Sequence, residues 1–276
     1  MNKKFLFFDM DGTLVPRKTS KILPSTIEAI NLAKKKGHYV FLCTGRGLSM
    51  ALEHQNEIDI PGIIFCNGGA IMYEGKIMDQ TNLPFDKIVP LTQIIDTFDG
   101  SYMLLNEDHC YYHPKNGERL LKRWRSSYPG YSDEEILKVR GMTPILDYDG
   151  KPIPKVDFMF ESELIADLFF ARIPQDYSIV TSGGYFAKMG RRAGEIMAPG
   201  VTKGSAIVKV VEMFGGSLSD AYGFGDSTND LEMFDICGTA IAMGNAPDFV
   251  QQRADYVTDD CDSDGIYNAM KHFNLI

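Results

Sequence analysis

Residues 5–13 read Phe-Leu-Phe-Phe-Asp-Met-Asp-Gly-Thr, and this stretch decides the fold. Four apolar residues with charge before them and a turn after predict a short strand buried on both faces, as in a parallel sheet covered by helices. The strand ends in Asp9 and Asp11. Two apart in extended backbone, their side chains project to one side and reach one small volume beyond the sheet. Gly12 and Thr13 then turn the chain away. Crowded carboxylates repel, and either a shared proton or a divalent cation holds them together. One could then act as nucleophile while the other handles protons. Taken alone, the pattern also fits a strand running into an acidic loop.

Working outward, PSTIEAINLAKKKG from Pro24 reads as a helix. Proline lies near its first turn, Ile27, Ile30 and Ala33 recur at three-residue steps, lysines close the last turn, and Gly37 stops it. HYVFLCTGR predicts a second buried strand over 39–43, ending at Thr44-Gly45-Arg46. Strand, helix and strand make a βαβ unit, so the strands are parallel and Thr44 emerges at the same edge as Asp9. Residues 47–58 read as helix, 63–67 as a third strand, and GGAIMYEGKIM as a small hairpin turning at Glu74-Gly75.

The same pattern returns near residue 189. GEIMAPGVTKGSAIVKVVEMFG has a turn at Pro199-Gly200 and a helix from about Thr202, with Lys203 in its first turn. A lysine there opposes the helix dipole, which makes it a poor structural choice and a better ligand for an anion. DAYGF at 220–224 is a strand, and GDSTNDLEMF places Asp226, Ser227, Asn229 and Asp230 in the loop and first helical turn beyond it. Ligands bind at that end of the strands in open α/β sheets. A further strand and turn (TAIAMGNA), then helix, short strand and helix complete the chain.

Between 82 and 188 strands and helices do not alternate strictly, and SYMLLNED and HCYYHP look like paired strands. That region reads as an α+β insert with an antiparallel sheet. The expected architecture is thus α/β: a Rossmann-like parallel-sheet core over 1–81 and 189–276, with an α+β cap domain over 82–188 inserted into it.

Composition narrows the class. With 276 residues, 44% of them hydrophobic and 24% charged, the chain is an ordinary globular protein with room for a large core. No apolar run approaches membrane-spanning length, and FLFF is cut off by Asp9 before a signal-peptide core could form, so a cytoplasmic protein without a membrane partner is expected. The 5 cysteines are odd in number and lack C-x-x-C spacing, which opposes a disulfide framework and a zinc site. A net charge of -9 opposes non-specific nucleic-acid binding. A small anionic substrate is still acceptable where a metal and a local lysine invert the field.

Four separated signals converge: DMDGT at 9–13, CTGR at 43–46, Lys203 in GVTKG, and GDSTND at 225–230. As an ordered set over nearly the whole chain they resemble the haloacid dehalogenase-like hydrolase superfamily. GDSTND followed by an AMGNA turn, with the insert between the second and third signals, is similar to its Cof-type phosphatases with a large α/β cap. The resemblance implies that Asp9 attacks phosphorus and becomes an aspartyl phosphate that water hydrolyses. Asp11 would protonate the leaving alkoxide and later deprotonate the water. Mg2+ is the expected cation because all candidate ligands are hard oxygens. By the family pattern it is held by Asp9, the main-chain carbonyl of Asp11 and Asp226, with Asp230 supporting from behind. Thr44, the Gly45 amide, Lys203 and Asn229 would hold the phosphoryl oxygens. Dehalogenases of this superfamily lack an aspartate at the position of Asp11, so phosphate-ester chemistry is favoured. The expected partner is a small phosphorylated metabolite, a sugar phosphate or a phosphorylated cofactor.

Simpler roles stand beside these. Thr44 could start a helix, Lys203 could be solvated, and Asn229 or Asp230 could be helix caps. KRWR at 122–125 reads as a solvated helix face with Trp124 turned inward, and His109 and His113 as exposed strand histidines. Arg46, beside the phosphate loop, and the Gly183-Gly184-Tyr185 turn are the candidates for substrate contact. Two rival readings remain: a sugar-phosphate mutase, which needs a second anion site such as Arg119, Arg123 and Arg125 would make, and a non-catalytic phosphate-ligand binding or regulatory protein.

Overall fold

The strand β1 (Phe5–Phe8) is buried at every position, and the structure, a computed structural model, describes residues 3–19, 21–54, 57–107, 109–175, 177–181 and 192–276. The chain divides into two units. The first comprises Met1–Gly45, His54–Gln80 and Val201–Ile276, the second Arg46–Glu53 and Thr81–Gly200.

In the first unit, β1 pairs in parallel with β2 (Tyr39–Cys43), and β3 (Gly62–Phe65) continues the parallel order. The hairpin β4 (Ala70–Tyr73) and β5 (Lys76–Gln80) extends that edge antiparallel. Its turn places Glu74 and Gly75 at φ 48° and 76°, the left-handed backbone a tight hairpin needs. Where a third strand is expected over 63–67, the strand stops at Phe65 and a single 3-10 turn, Cys66–Gly68, follows. The helix expected over 47–58 is shorter, Leu48–Ala51 with a 3-10 turn to His54.

The second unit carries β6 (Ser101–Leu105), β7 (Cys110–Tyr112), β8 (Met142–Pro144), β9 (Lys155–Met159), β10 (Ser178–Thr181) and β11 (Ala193–Met197) in one sheet, ordered β10-β11-β9-β6-β7-β8. Every pair is antiparallel except β7 with β8. Helices at Phe85–Thr97, Pro114–Trp124, Asp133–Val139 and Glu163–Phe170 accompany it. The sequence reading begins the first pattern again at 189, but β11 lies between β9 and β10 and runs along five buried residues of this second sheet. The return to the first sheet comes only with the helix Lys203–Met213.

That return adds β12 (Ala221–Gly225), β13 (Thr239–Ala242) and β14 (Tyr256–Val257) on the far side of β1, giving an order β14-β13-β12-β1-β2-β3-β4-β5. Strand order therefore reverses at β1, and the crevice between the carboxyl ends of β1 and β12 is where such a sheet binds ligands. Phe5 and Phe7 face a core with Phe41, Ile207, Val210, Val211 and Met233. Leu6 and Phe8, on the opposite face by alternation, are 0% exposed as well. Covering both faces explains why β1 is a continuous apolar run rather than an alternating one. Among the described residues, no helix is long and apolar enough to cross a membrane.

Candidate active site

Asp9 leaves β1 still tied to the ladder, its N–H donating to the Phe224 carbonyl at 2.9 Å. Phe8 is level with Phe224, so Asp9 and Asp226 leave adjacent parallel strands side by side. The turn after Asp9 fits this crevice only because residue 12 is glycine. Gly12 sits at φ 98°, and a Cβ there would fall 2.2 Å from Oδ2 of Asp226.

Lys203 arrives from the first turn of its helix, whose N-cap Thr202 accepts from the Ser205 N–H and is answered by the Ser205 hydroxyl. The lysine is 1% exposed. Its Nζ donates to Oδ1 of Asp9 at 2.5 Å and to Oδ1 of Asp230 at 2.7 Å. The other oxygen of Asp230 accepts from the backbone N–H groups of Asp226 and Ser227, at 3.0 and 2.9 Å. Asp230 thus spends both oxygens on fixing its neighbours, which is a structural duty a helix-capping aspartate also performs.

Carboxylate oxygens of Asp9, Asp226 and Asp230 all come within 4.8 Å of one another. Burial, and then the charge of Asp230, raise the Asp9 carboxyl well above its usual range, with Lys203 opposing. Burial and Asp230 likewise push Asp226 up to about 6. Burial pulls Lys203 down, but Asp230 and Asp9 outweigh it and the ammonium is held more firmly than usual. A buried group with surplus negative charge is matched by a cation. Oδ1 of Asp226 is the atom open to one, being buried with no hydrogen-bond partner among the described residues. Hard carboxylate oxygens such as those of Asp9 and Asp226 suit Mg2+ in type.

Thr44 is 2% exposed at the end of β2. Its N–H donates to Ile64 and its carbonyl accepts from Asn67 at 3.1 Å. The same turn, with Asn67 at φ 52° and Gly68 at φ 95°, abuts the lysine helix, since a Cβ on Gly68 would lie 2.1 Å from the Thr202 carbonyl. One left-handed turn therefore sets Thr44 and the start of the helix of Lys203 together. Gly45 follows directly. Asp11 is half-buried in the turn that bridges to Val15. Asn229 is half-buried, its Oδ1 accepting from the Ser227 hydroxyl at 2.6 Å.

Other candidates fall elsewhere. Arg46 belongs to the second unit, donating to the Met50 carbonyl at 3.2 Å and pairing with Glu53 at 3.3 Å. Tyr185 and the Gly183-Gly184 pair lie outside the described residues. Trp124 is buried and carries Arg140 over its ring at 4.7 Å, so KRWR presents no aromatic face. His113 caps the helix after it, and His109 pairs with Thr143. All 5 cysteines are buried thiols outside any disulfide.

Two residues of the site escape the sequence reading. Asn245 donates to the Gly12 carbonyl at 2.8 Å and accepts from the Cys261 N–H, tying the DMDGT turn to the far end of the chain. Its only signal is its place in the AMGNA turn. Arg17 donates to Oδ2 of Asp226 at 3.1 Å, and no periodicity or motif marks it.

Known proteins resemble the chain over nearly its whole length. The chain is 28% identical over 276 residues to the putative phosphatase YkrA of Bacillus subtilis (strain 168), covering 100% of both proteins. It is 26% identical to the pyridoxal phosphate phosphatase YbhA of Escherichia coli (strain K12), over 96% of this chain and 97% of that one. A solved sugar phosphatase of HAD subclass IIB superposes with a TM-score of 0.79 at 27% identity, covering 99% of this chain and 100% of the other. The sequence pattern of the haloacid dehalogenase-like hydrolases matches residues 6–270, and the chain accordingly belongs to that family, as one of its phosphomonoesterases.

Proposed function

We propose that this enzyme hydrolyses a small phosphomonoester, a sugar phosphate or a phosphorylated cofactor, in two steps through an aspartyl phosphate on Asp9, with Mg2+ as its cation. The observation that carries the reading is the meeting of Lys203 with Asp9 and Asp230 at the reversal point of the sheet, beside the open oxygen of Asp226. Mg2+ would be held by Asp9, the Asp11 carbonyl and Asp226, and when bound it neutralises charge on the phosphoryl oxygens and aligns them.

The chain's own residues supply the rest. A carboxylate oxygen of Asp9 attacks phosphorus as the bond to the ester oxygen breaks, and Asp11 gives its proton to the departing alkoxide. Asp11 then takes a proton from water as that water attacks phosphorus and frees Asp9. Lys203, Thr44, the Gly45 amide and Asn229 hold the phosphoryl oxygens while charge develops on them. Asp230 keeps Lys203 and the backbone of 226–227 aligned. Substrates named for relatives, pyridoxal phosphate for YbhA and 5-amino-6-(5-phospho-D-ribitylamino)uracil for YwtE of Bacillus subtilis, support a small phosphorylated metabolite. Of the three arginines in the mutase reading, Arg125 is engaged by Glu118 and Asp133, and the side chains of Arg119 and Arg123 lie outside the described residues.

The test is phosphate release from sugar phosphates, nucleotides and vitamin phosphates, with Mg2+ and with chelator. Turnover is expected with Mg2+ alone, and Asp9→Asn is expected to lower kcat by about 10⁴-fold or more with no labelled phosphoenzyme trapped on rapid quenching. Turnover by Asp9→Asn at the native rate refutes the nucleophile.

A further inference from the structure

The guanidinium of Arg17, a side chain outside the four signals of the sequence, lies on the carboxylate of Asp226. Nη2 donates to Oδ2 at 3.1 Å, with Asp226 buried and Arg17 about half exposed, 46% by side chain. The bare Gly12 makes room for it, since a Cβ there would lie 2.9 Å from Nε of Arg17 and 2.2 Å from Oδ2 of Asp226. Because Arg17 takes Oδ2, Oδ1 of Asp226 is left as the oxygen without a partner among the described residues. Asp226, Asp11 and Asp9 all act on the guanidinium, and together they outweigh its partial burial.

Charge decides what such a cation does here. With Asp11 carrying the proton that it gives to the leaving group, the carboxylates of Asp9, Asp226 and Asp230 face Lys203 and Arg17 and leave one negative charge, which one divalent ion turns into one positive charge. A phosphoryl dianion arriving next returns the site to a single negative charge. With no charge at residue 17, each of these states is one unit more negative. Metal then binds into a deeper well, and the anion binds against a stronger repulsion.

We propose that Arg17 is a charge-balancing residue of the phosphoryl site, holding Asp226 by Oδ2 so that Oδ1 faces the metal, and trading metal affinity for affinity toward the phosphate dianion. The proposal rests on the phosphatase reading above. A purely structural role for Arg17 would weaken both ligands together when it is lost. Charge balance moves them in opposite directions.

The experiment is calorimetric titration of Mg2+ into metal-free protein, and of inorganic phosphate into Mg2+-saturated protein, for the native chain, Arg17→Gln and Arg17→Lys. Arg17→Gln is expected to bind Mg2+ at least about threefold more tightly and phosphate at least about tenfold more weakly. Arg17→Lys keeps the charge and is expected within about threefold of the native chain for both. Arg17→Gln with both affinities unchanged, or both weakened, overturns the proposal while leaving the phosphatase reading intact. A native chain that binds neither ligand overturns both.

Discussion

Nζ of Lys203 lies 2.5 Å from Oδ1 of Asp9 although 194 residues separate the two in the chain. Both are buried, at 1% and 5% exposure, and the lysine is shared with Asp230. One ammonium between two buried carboxylates is a costly arrangement if any member is removed, because the remainder is charge without compensation.

Lys203→Ala should therefore act on two quantities at once. Loss of a charged donor to the developing anion should lower kcat/KM by about 10²- to 10³-fold. In chelator, loss of the shared ammonium should also destabilise the fold by about 3–5 kcal/mol, read from urea unfolding. Native kcat/KM in this variant would remove Lys203 from the phosphoryl site.

Asp230→Asn tests the support beneath Asp226. The aspartate accepts from Lys203 on one oxygen and from two backbone N–H groups on the other. An amide must turn its NH2 toward one of these donors, leaving a buried donor unmet at about 1–3 kcal/mol. Stability should fall by that amount and kcat by about tenfold or more, with saturating Mg2+ unable to restore the rate. Full restoration by Mg2+ would mean that Asp230 acts only through metal affinity.

Gly12→Ala addresses the turn itself. The left-handed backbone costs a substituted residue about 1–2 kcal/mol, and the new Cβ would collide with Oδ2 of Asp226 at 2.2 Å. Asp226 has to move, so the Mg2+ concentration for half-maximal rate should rise about tenfold or more, since small misplacements in such sites cost about 10²-fold. An unaltered Mg2+ dependence would show that Asp226 tolerates displacement.

The legible part of the molecule is the part governed by period and punctuation. FLFF, YVFLC and AYGFG are apolar runs that end in Asp9, Thr44 and Asp226, and the βαβ rule alone brings those ends to one edge. The second sheet is less readable because its partners are distant in sequence. β11 pairs with β9 and β10, and nothing local in Ala193–Met197 separates it from a strand of the first sheet. The helix Asp133–Val139 does announce itself, through Ser132 and Glu135 three apart, the spacing of a capping box, yet the reading left 129–152 unassigned. Arg17 and Asn245 reach partners 209 and 233 residues away, and hydrophobic period encodes neither contact.

The buried charges of the second unit give a pH prediction. Asp157 on β9 stands opposite Glu195 on β11, with Lys155 two residues along the same face. Like charges directly opposed are unfavourable, and Lys155 answers both, pairing with Glu195 and lying 2.8 Å from Oδ1 of Asp157. Burial nonetheless pushes the Asp157 carboxyl up to about 7, against the pull of Lys155. A carboxyl whose folded pKa exceeds its unfolded value of 3.8 binds its proton more tightly in the folded chain. Its contribution to stability is then complete below about pH 4 and is lost as pH rises from there to about 7. Asn at 157 cannot ionise, so Asp157→Asn should lose less stability than the native chain between about pH 5 and pH 7. The gap should open by at most about 1.4 kcal/mol per pH unit, measured by urea unfolding at several pH values. Parallel stability curves for the two proteins would mean that Asp157 is ionised throughout, held by Lys155 more firmly than burial opposes it.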